Sequence, residues 1–348
     1  MKDQTSSFIV KVVILAFPLI VLLGSYIYWD PFKVIYKYDS YYESGKPSYV
    51  TLNKGFVSIE TFLHNYSKYA YDSFVFGSSR SIFYRVADWK KYIHATECFH
   101  FDASGETLYG IYKKLEFLQK NHVPIKNAII VVDAELLSQT VDPENYLLKQ
   151  HPRITSELTV LFQWRFLKTY FDRKFLFSFL DFKLRGKIRP YMTRELVLDD
   201  RPFTYDRTTN EVSFDYFEKM IDRNMNDYYG SRKDLFYSRE PIEKRSVVVI
   251  GKEQEKQLVY IKDQLNKNDT RYKIIISPLY DQKRINSNDY DVLCKVFGSK
   301  NVFDFSGIND LTASMYNYYE TSHYRPHVCK LILDRIYAMD EQKNERIK

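Results

Sequence analysis

Cysteine is nearly missing from this chain, with three residues, Cys98, Cys294 and Cys329, in 348. They lie far apart and form no C-x-x-C pair, which excludes a disulfide scaffold and leaves at most one bridge. They read as small buried residues, and the redox compartment stays open. Histidine is also sparse, at seven residues. His94, His100, His122 and His151 show no metal-ligand spacing with one another or with cysteine, so neither a metal site nor a cofactor is expected. No nucleic-acid motif, internal repeat or low-complexity tract occurs, so nucleic acid is not an expected partner. No strong charge of one sign is present either: 51 Lys and Arg against 44 Asp and Glu leave +7. That balance suits an anionic membrane surface or glycan, but it reads most simply as a mixed solvated surface.

The chain does have apolar mass, 45% hydrophobic and 17% aromatic, enough for one large domain or two modest ones and too much for disorder. The longest uncharged run, Val12 to Trp29, is long enough to cross a bilayer, which takes roughly 17–25 residues. Lys2 and Lys11 precede it, and Tyr26, Tyr28 and Trp29 form an aromatic belt at its far end. A cleaved signal peptide is the competing reading, but Gly24-Ser25 is a poor cleavage site and the apolar core is long. An uncleaved anchor over 1–30 is therefore expected, in contact with the lipid bilayer. Lys33 and Lys37 weaken the orientation signal. The expectation is still amino terminus inside and bulk outside, because nothing later reads as a second span.

Residues 31–65, rich in tyrosine and lysine, read as a juxtamembrane segment. Beyond them an α/β rhythm begins. Strands are expected at Ser73–Phe76, Cys98–Phe101, Ala128–Val132, Tyr272–Ile276 and Val302–Phe305. Helices are expected at Val86–Tyr92, Thr107–Asn121, Glu253–Asn266, Asp289–Phe297 and from Pro326 to Tyr337. Alternation of strand and helix predicts a parallel sheet within a domain over 66–348. An insertion at about 151–243 interrupts it with interleaved aromatic and basic residues. Its helices are expected to cover the sheet or form a cap, with a membrane-surface role as the alternative.

Two segments carry the candidate chemistry. Phe74-Val75-Phe76-Gly77-Ser78-Ser79 is a buried-strand pattern ending in a Gly-Ser turn, which puts Ser79 at the carboxyl edge of a sheet, where open α/β folds gather their ligands. Far downstream, Glu320-Thr321-Ser322-His323 sets a carboxylate three residues before a histidine on the loop leading to a helix. A serine hydroxyl needs a base to take its proton, and a histidine held in one tautomer by a carboxylate is the usual one. Ser79, His323 and Glu320 are the candidate catalytic residues, and the N–H groups of Ser79 and Gly105 are candidate oxyanion donors. Arg80 is a candidate substrate-binding residue, or else an ion-pair anchor for the turn. His327 is an alternative base but is expected at the surface. Asp133 and Glu135 could act as acid and base, or simply cap the following segment.

At these residues the chain resembles the SGNH, or GDSL-type, hydrolase family, most closely its membrane-anchored members that accompany cell-envelope acylation. Gly77-Ser78-Ser79 matches the block that carries the nucleophile. Phe101 to Thr107, with Gly105, matches the glycine block, and Glu320 to His323 matches Asp-x-x-His, with Tyr324-Arg325-Pro326 adding to the likeness. Two departures stand out. The block Gly-x-Asn-Asp is replaced at its strand end by Val132-Asp133-Ala134-Glu135, and Gly307-Ile308-Asn309-Asp310 lies too late in the chain to substitute for it. Glutamate also stands where the family has aspartate. The resemblance implies a three-layer, flavodoxin-like α/β domain. It further implies a serine esterase or O-acyltransferase acting through an acyl-Ser79 intermediate on an envelope glycan or acyl-carrying substrate, with the domain outside a bacterial-type membrane. A polytopic membrane-bound O-acyltransferase is the implied partner. The contrasting expectation is a catalytically impaired scaffold or glycan-binding module, which the missing asparagine would permit.

Overall fold

The computed structural model describes residues 2–95, 97–193 and 198–345. At its centre is a five-stranded sheet formed by β1 (Ser73–Gly77), β2 (Cys98–Asp102), β3 (Asn127–Val132), β4 (Arg271–Ile276) and β5 (Val302–Asp304). All pairings are parallel, in the order β2-β1-β3-β4-β5. The chain adds β2 on one side of β1 and then crosses to add β3 on the other, so the crevice beyond the carboxyl ends of β1 and β3 lies at the topological switch point where open sheets bind ligands. Ser79 follows β1 directly.

The strand centres are mostly apolar because both faces are covered. Phe74, Phe76, Phe99, Phe101, Ala128, Ile130, Ile274 and Ile276 join one buried cluster, while Val75, Ile129, Val131 and Ile275 join another. This period of two reflects the alternation of side chains along a strand. Helices α2 (Lys54–Tyr69), α3 (Leu108–Lys120), α4 (Lys252–Lys267) and α5 (Ser287–Phe297) supply the first cluster. The turn Val86–Trp89 and α6 (Pro326–Glu345), through Val328, Ile332 and Ile336, supply the second. Each fully buried large side chain contributes about 1.5–3 kcal/mol, so these layers dominate the stability of the body. Helix starts follow local chemistry: Asn53 and Thr107 cap α2 and α3 through their side chains, and Pro326 opens α6.

Three expectations need revision. Residues 31–65 are packed rather than a lead-in: Ile59 and Phe62 of α2 cover the sheet, and Phe32, Val34, Tyr41 and Phe56 are buried in a third cluster. The helix expected over Val86–Tyr92 is a single turn ending at Trp89, whose indole N–H donates to the Tyr337 hydroxyl at 2.7 Å. The insertion does two jobs. Its helices Thr159–Tyr170 and Arg173–Arg185 fill the third cluster with Phe162, Phe166, Phe175 and Phe179 instead of lying on the sheet. Its hairpin Thr204–Asp206/Glu211–Ser213 covers the outer edge of β2, where His100 N–H donates to the Thr209 carbonyl at 2.9 Å and the Asn210 amide donates to the His100 carbonyl at 2.8 Å. Covering that edge removes a template for intermolecular pairing. Residues 194–197 of the insertion lie outside the described residues.

Helix α1 spans Lys2–Trp29, and its stretch Lys11–Trp29 has mean hydropathy 2.2 with only 6% of it buried. It is long and apolar enough to cross a membrane. Its last turn meets the body, with Tyr26 packed on Tyr170 and Trp29 on Phe179.

Candidate active site

The serine side is built from local geometry. β1 ends at Gly77, and a Cβ placed there would sit 2.8 Å from Ser81 Cβ and 3.1 Å from Val131 Cβ, so only glycine lets the chain fold back this tightly. A 3₁₀ turn, Ser79–Ser81, follows. Both the N–H and the hydroxyl of Ser81 donate to the Ser78 carbonyl at 2.8 Å. The buried His100 ring holds the Ser81 carbonyl through Nε2 at 2.9 Å. Ser79 opens this turn, and its N–H is not used by the turn's own hydrogen bonds, which begin with the Arg80 N–H donating to Ser78 Oγ at 3.4 Å.

The histidine side is a short hairpin, Tyr318–Glu320 paired with His323–Tyr324. It is braced from far away in sequence. The Tyr318 hydroxyl donates to the Pro278 carbonyl at 2.9 Å, and the hydroxyls of Tyr229 and Tyr228 donate to the carbonyls of Tyr318 and Tyr319 at 2.9 and 3.1 Å. Arg325, next to the hairpin, makes a two-point ion pair with Glu218 at 2.9 and 2.6 Å. Glu218, Tyr228 and Tyr229 stand on the helices Asp215–Arg223 and Met225–Gly230 of the insertion.

The two sides meet. His323 Nε2 lies 2.8 Å from Ser79 Oγ, and His323 Nδ1 forms a close hydrogen bond with Glu320 Oε1. The other Glu320 oxygen accepts the Ser322 N–H at 2.7 Å. Burial pushes the Glu320 carboxyl up, but the His323 ring and the Ser322 N–H outweigh burial and hold it below the usual carboxylate range. Glu320 therefore stays ionised, Nδ1 carries the proton that bonds to it, and Nε2 is free to accept from Ser79. His323 and Glu320 side chains are 27% and 32% exposed, so both are open to solvent.

Arg80 is an anchor first. Its guanidinium pairs with Asp133 at 2.5 Å and Glu135 at 3.0 Å. Asp133 Oδ1 also accepts the Leu136 N–H at 3.0 Å, so both of its oxygens are engaged and its charge is matched. This leaves Asp133 and Glu135 as partners of Arg80 rather than free acid and base. Arg80 also lines a cleft of about 350 Å³ with Asp133, Ser277, Arg245, Lys283 and Ser306, at the carboxyl ends of β3, β4 and β5. Ser79 and His323 do not line that cleft; Arg80 connects the two places.

Gly105 lies just beyond β2, whose last residue, Asp102, is in register with Gly77. It is exposed, with a left-handed backbone (φ 53°) and the Leu148 side chain 3.1 Å from where a Cβ would lie. The contacts that join Ser79, His323 and Glu320 do not include it. Asn309 is occupied by structure: its Oδ1 caps the helix Asp310–Ala313 and its amide donates to the Phe305 carbonyl at 2.8 Å. His327 is exposed and bonded to Asn317 at 2.9 Å, away from the serine. Sequence reasoning missed His100, Glu218, Tyr228 and Tyr229. Arg325 sat in the quoted motif, but nothing in the chain signalled its partner. Comparison with family models found no match to this chain, and comparison with curated proteins found none.

Proposed function

We propose that this chain is a membrane-anchored serine esterase or O-acyltransferase of the SGNH type, acting on a cell-envelope glycan or acyl-carrying substrate. The observation that carries the reading is the relay from Glu320 through His323 to Ser79, with 2.8 Å between imidazole and hydroxyl. That separation is within the range of a nucleophile and its base. Ser79 Oγ attacks the acyl carbonyl carbon while His323 Nε2 takes the hydroxyl proton. The carbonyl oxygen becomes an oxyanion, for which the Ser79 N–H, and by the family likeness Gly105, are the donors. Each such donor is worth about 3 kcal/mol elsewhere. Collapse breaks the bond to the leaving alcohol, which receives the proton from His323, and the acyl group stays on Ser79. Water or a sugar hydroxyl then gives its proton to His323 as it attacks the acyl carbon, and His323 returns that proton to Ser79 Oγ as the acyl–Ser79 bond breaks.

The resemblance places the body on the extracytoplasmic face of a bacterial-type membrane and supplies a membrane-bound O-acyltransferase as acyl source. Both belong to the proposal. A fluorophosphonate probe tests the chemistry: it should label the full chain, and Ser79→Ala should abolish labelling and ester turnover. An unlabelled wild type would leave the scaffold reading, which is favoured by an ion-paired Asp133 where the family has its oxyanion asparagine.

A further inference from the structure

We infer that the helices Thr159–Tyr170 and Arg173–Arg185 form a foot that lies in the headgroup region of the bilayer beside the anchor. The inference rests on α1 being a membrane span. In a soluble body the outward face of a helix is polar. Here both helices break that rule. Phe162, Phe166 and Tyr170 point inward, yet the opposite face of the same helix carries Val160 and Trp164, 78% and 56% exposed. On the second helix Phe175 and Phe179 are buried, while Phe177 and Leu184, two turns apart on one side, are 65% and 86% exposed. Lys168 follows Trp164 by one turn, and Arg173 precedes Phe177 by one turn. Tryptophan and leucine with flanking basic residues is the composition of an interfacial helix, which buries its apolar side among acyl chains and keeps cations at the phosphates.

The length of α1 sets the depth of the foot independently. The stretch Lys11–Trp29 has 19 residues, so it is about 28 Å long, close to the ~30 Å hydrocarbon thickness. Its carboxyl end is therefore at the exit interface. The foot touches that end: Ser25 Oγ lies 2.7 Å from the Tyr170 hydroxyl, Trp29 packs on Phe179, and Lys183 sits over the Trp29 ring at 5.9 Å. The junction is also firm. The Asp30 carboxylate accepts the N–H groups of Val34, Ile35 and Tyr36 at 3.0, 3.0 and 3.1 Å, so the chain leaves the span through a fixed turn rather than a loose linker. Helices that meet the last turn of a span are at the level of the headgroups, and the exposed apolar side chains there meet lipid.

Site-directed spin labelling tests this in the full chain with Cys294→Ser, since Cys98 and Cys329 are buried. Single cysteines are placed at Leu161→Cys and Phe177→Cys, with Ile20→Cys as the hydrocarbon reference and Ile242→Cys as the aqueous one. Each labelled protein is reconstituted in phosphatidylethanolamine–phosphatidylglycerol vesicles. The ratio of oxygen to nickel-chelate accessibility should be several-fold higher at 161 and 177 than at 242. Values at 161 and 177 equal to that at 242, with 20 in hydrocarbon, overturn the foot and leave the anchor. Low access to both reagents at 161 and 177 also overturns it, because a protein surface then covers this face. A water-like value at 20 overturns the span and the foot together, without touching the chemistry at Ser79.

Discussion

The two halves of the candidate site are held in opposite ways. The serine is fixed by its neighbours: a glycine that permits close approach, a 3₁₀ turn closed on the Ser78 carbonyl, and a flanking strand. The histidine is fixed through contacts that span 89 to 107 positions, made by the Glu218 carboxylate and the Tyr228 and Tyr229 hydroxyls. Local geometry is cheap in entropy because few residues must be ordered to make it. A long-range brace works only once the whole body has folded. The insertion is therefore part of the framework that holds the histidine.

Substitutions can break each half separately. Glu320→Gln should have the largest effect, since a neutral amide stabilises neither the working tautomer nor the imidazolium; a loss on the order of 10⁴ in kcat is the scale seen for such changes. Its stability effect has a definite sign. A carboxylate whose folded-state pKa is depressed adds stability above its unfolded value and loses it as pH falls through the folded one. The melting-temperature gap between wild type and Glu320→Gln should be full near neutrality and close below the ordinary value of 4.5. A gap that widens in acid would contradict the ionised pair.

Gly77→Ala attacks the serine half. The added methyl would sit 2.8 Å from Ser81 Cβ, so about 1–3 kcal/mol of stability should be lost to overpacking. Fluorophosphonate labelling should fall because the turn itself must move. Glu218→Ala attacks the histidine half and leaves the turn alone. Arg325, with a side chain 11% exposed, loses its carboxylate partner. Because Glu218 is partly exposed, the cost should be about 1–2 kcal/mol, below that of a fully buried pair. Labelling should slow about tenfold while the far-ultraviolet circular dichroism stays unchanged. Unchanged labelling would show that the hairpin holds itself.

The sheet was legible because its strands centre on short apolar runs, such as Phe74–Phe76, Ala128–Val132 and Ile274–Ile276, bounded by turn residues and alternating with helical spacing. The candidate triad was legible in part: Ser79 stood at a strand end and Glu320 three residues before His323. The role of 31–65 was not. Tyrosine and lysine there suggested a juxtamembrane lead-in, but Phe32, Val34 and Phe56 pack against insertion helices more than one hundred positions later. Asp133 looked like an obstacle to oxyanion chemistry, and its pairing with Arg80 could not be read because it joins two strand ends that only the sheet brings together.

By itself the sequence determined what depends on neighbours along the chain: the apolar period of each strand, the glycine turn, the helix caps, and the uncharged stretch that became α1. Tertiary structure alone decided which carboxylate faces which cation, and which helices meet the end of α1. It also decided that an imidazole lies 2.8 Å from a hydroxyl 244 positions away. The physical reason is range. Backbone sterics and capping act within a few residues, whereas ion pairs and packing act between whatever surfaces the fold brings within a few ångströms, and no spacing rule in the chain encodes that distance.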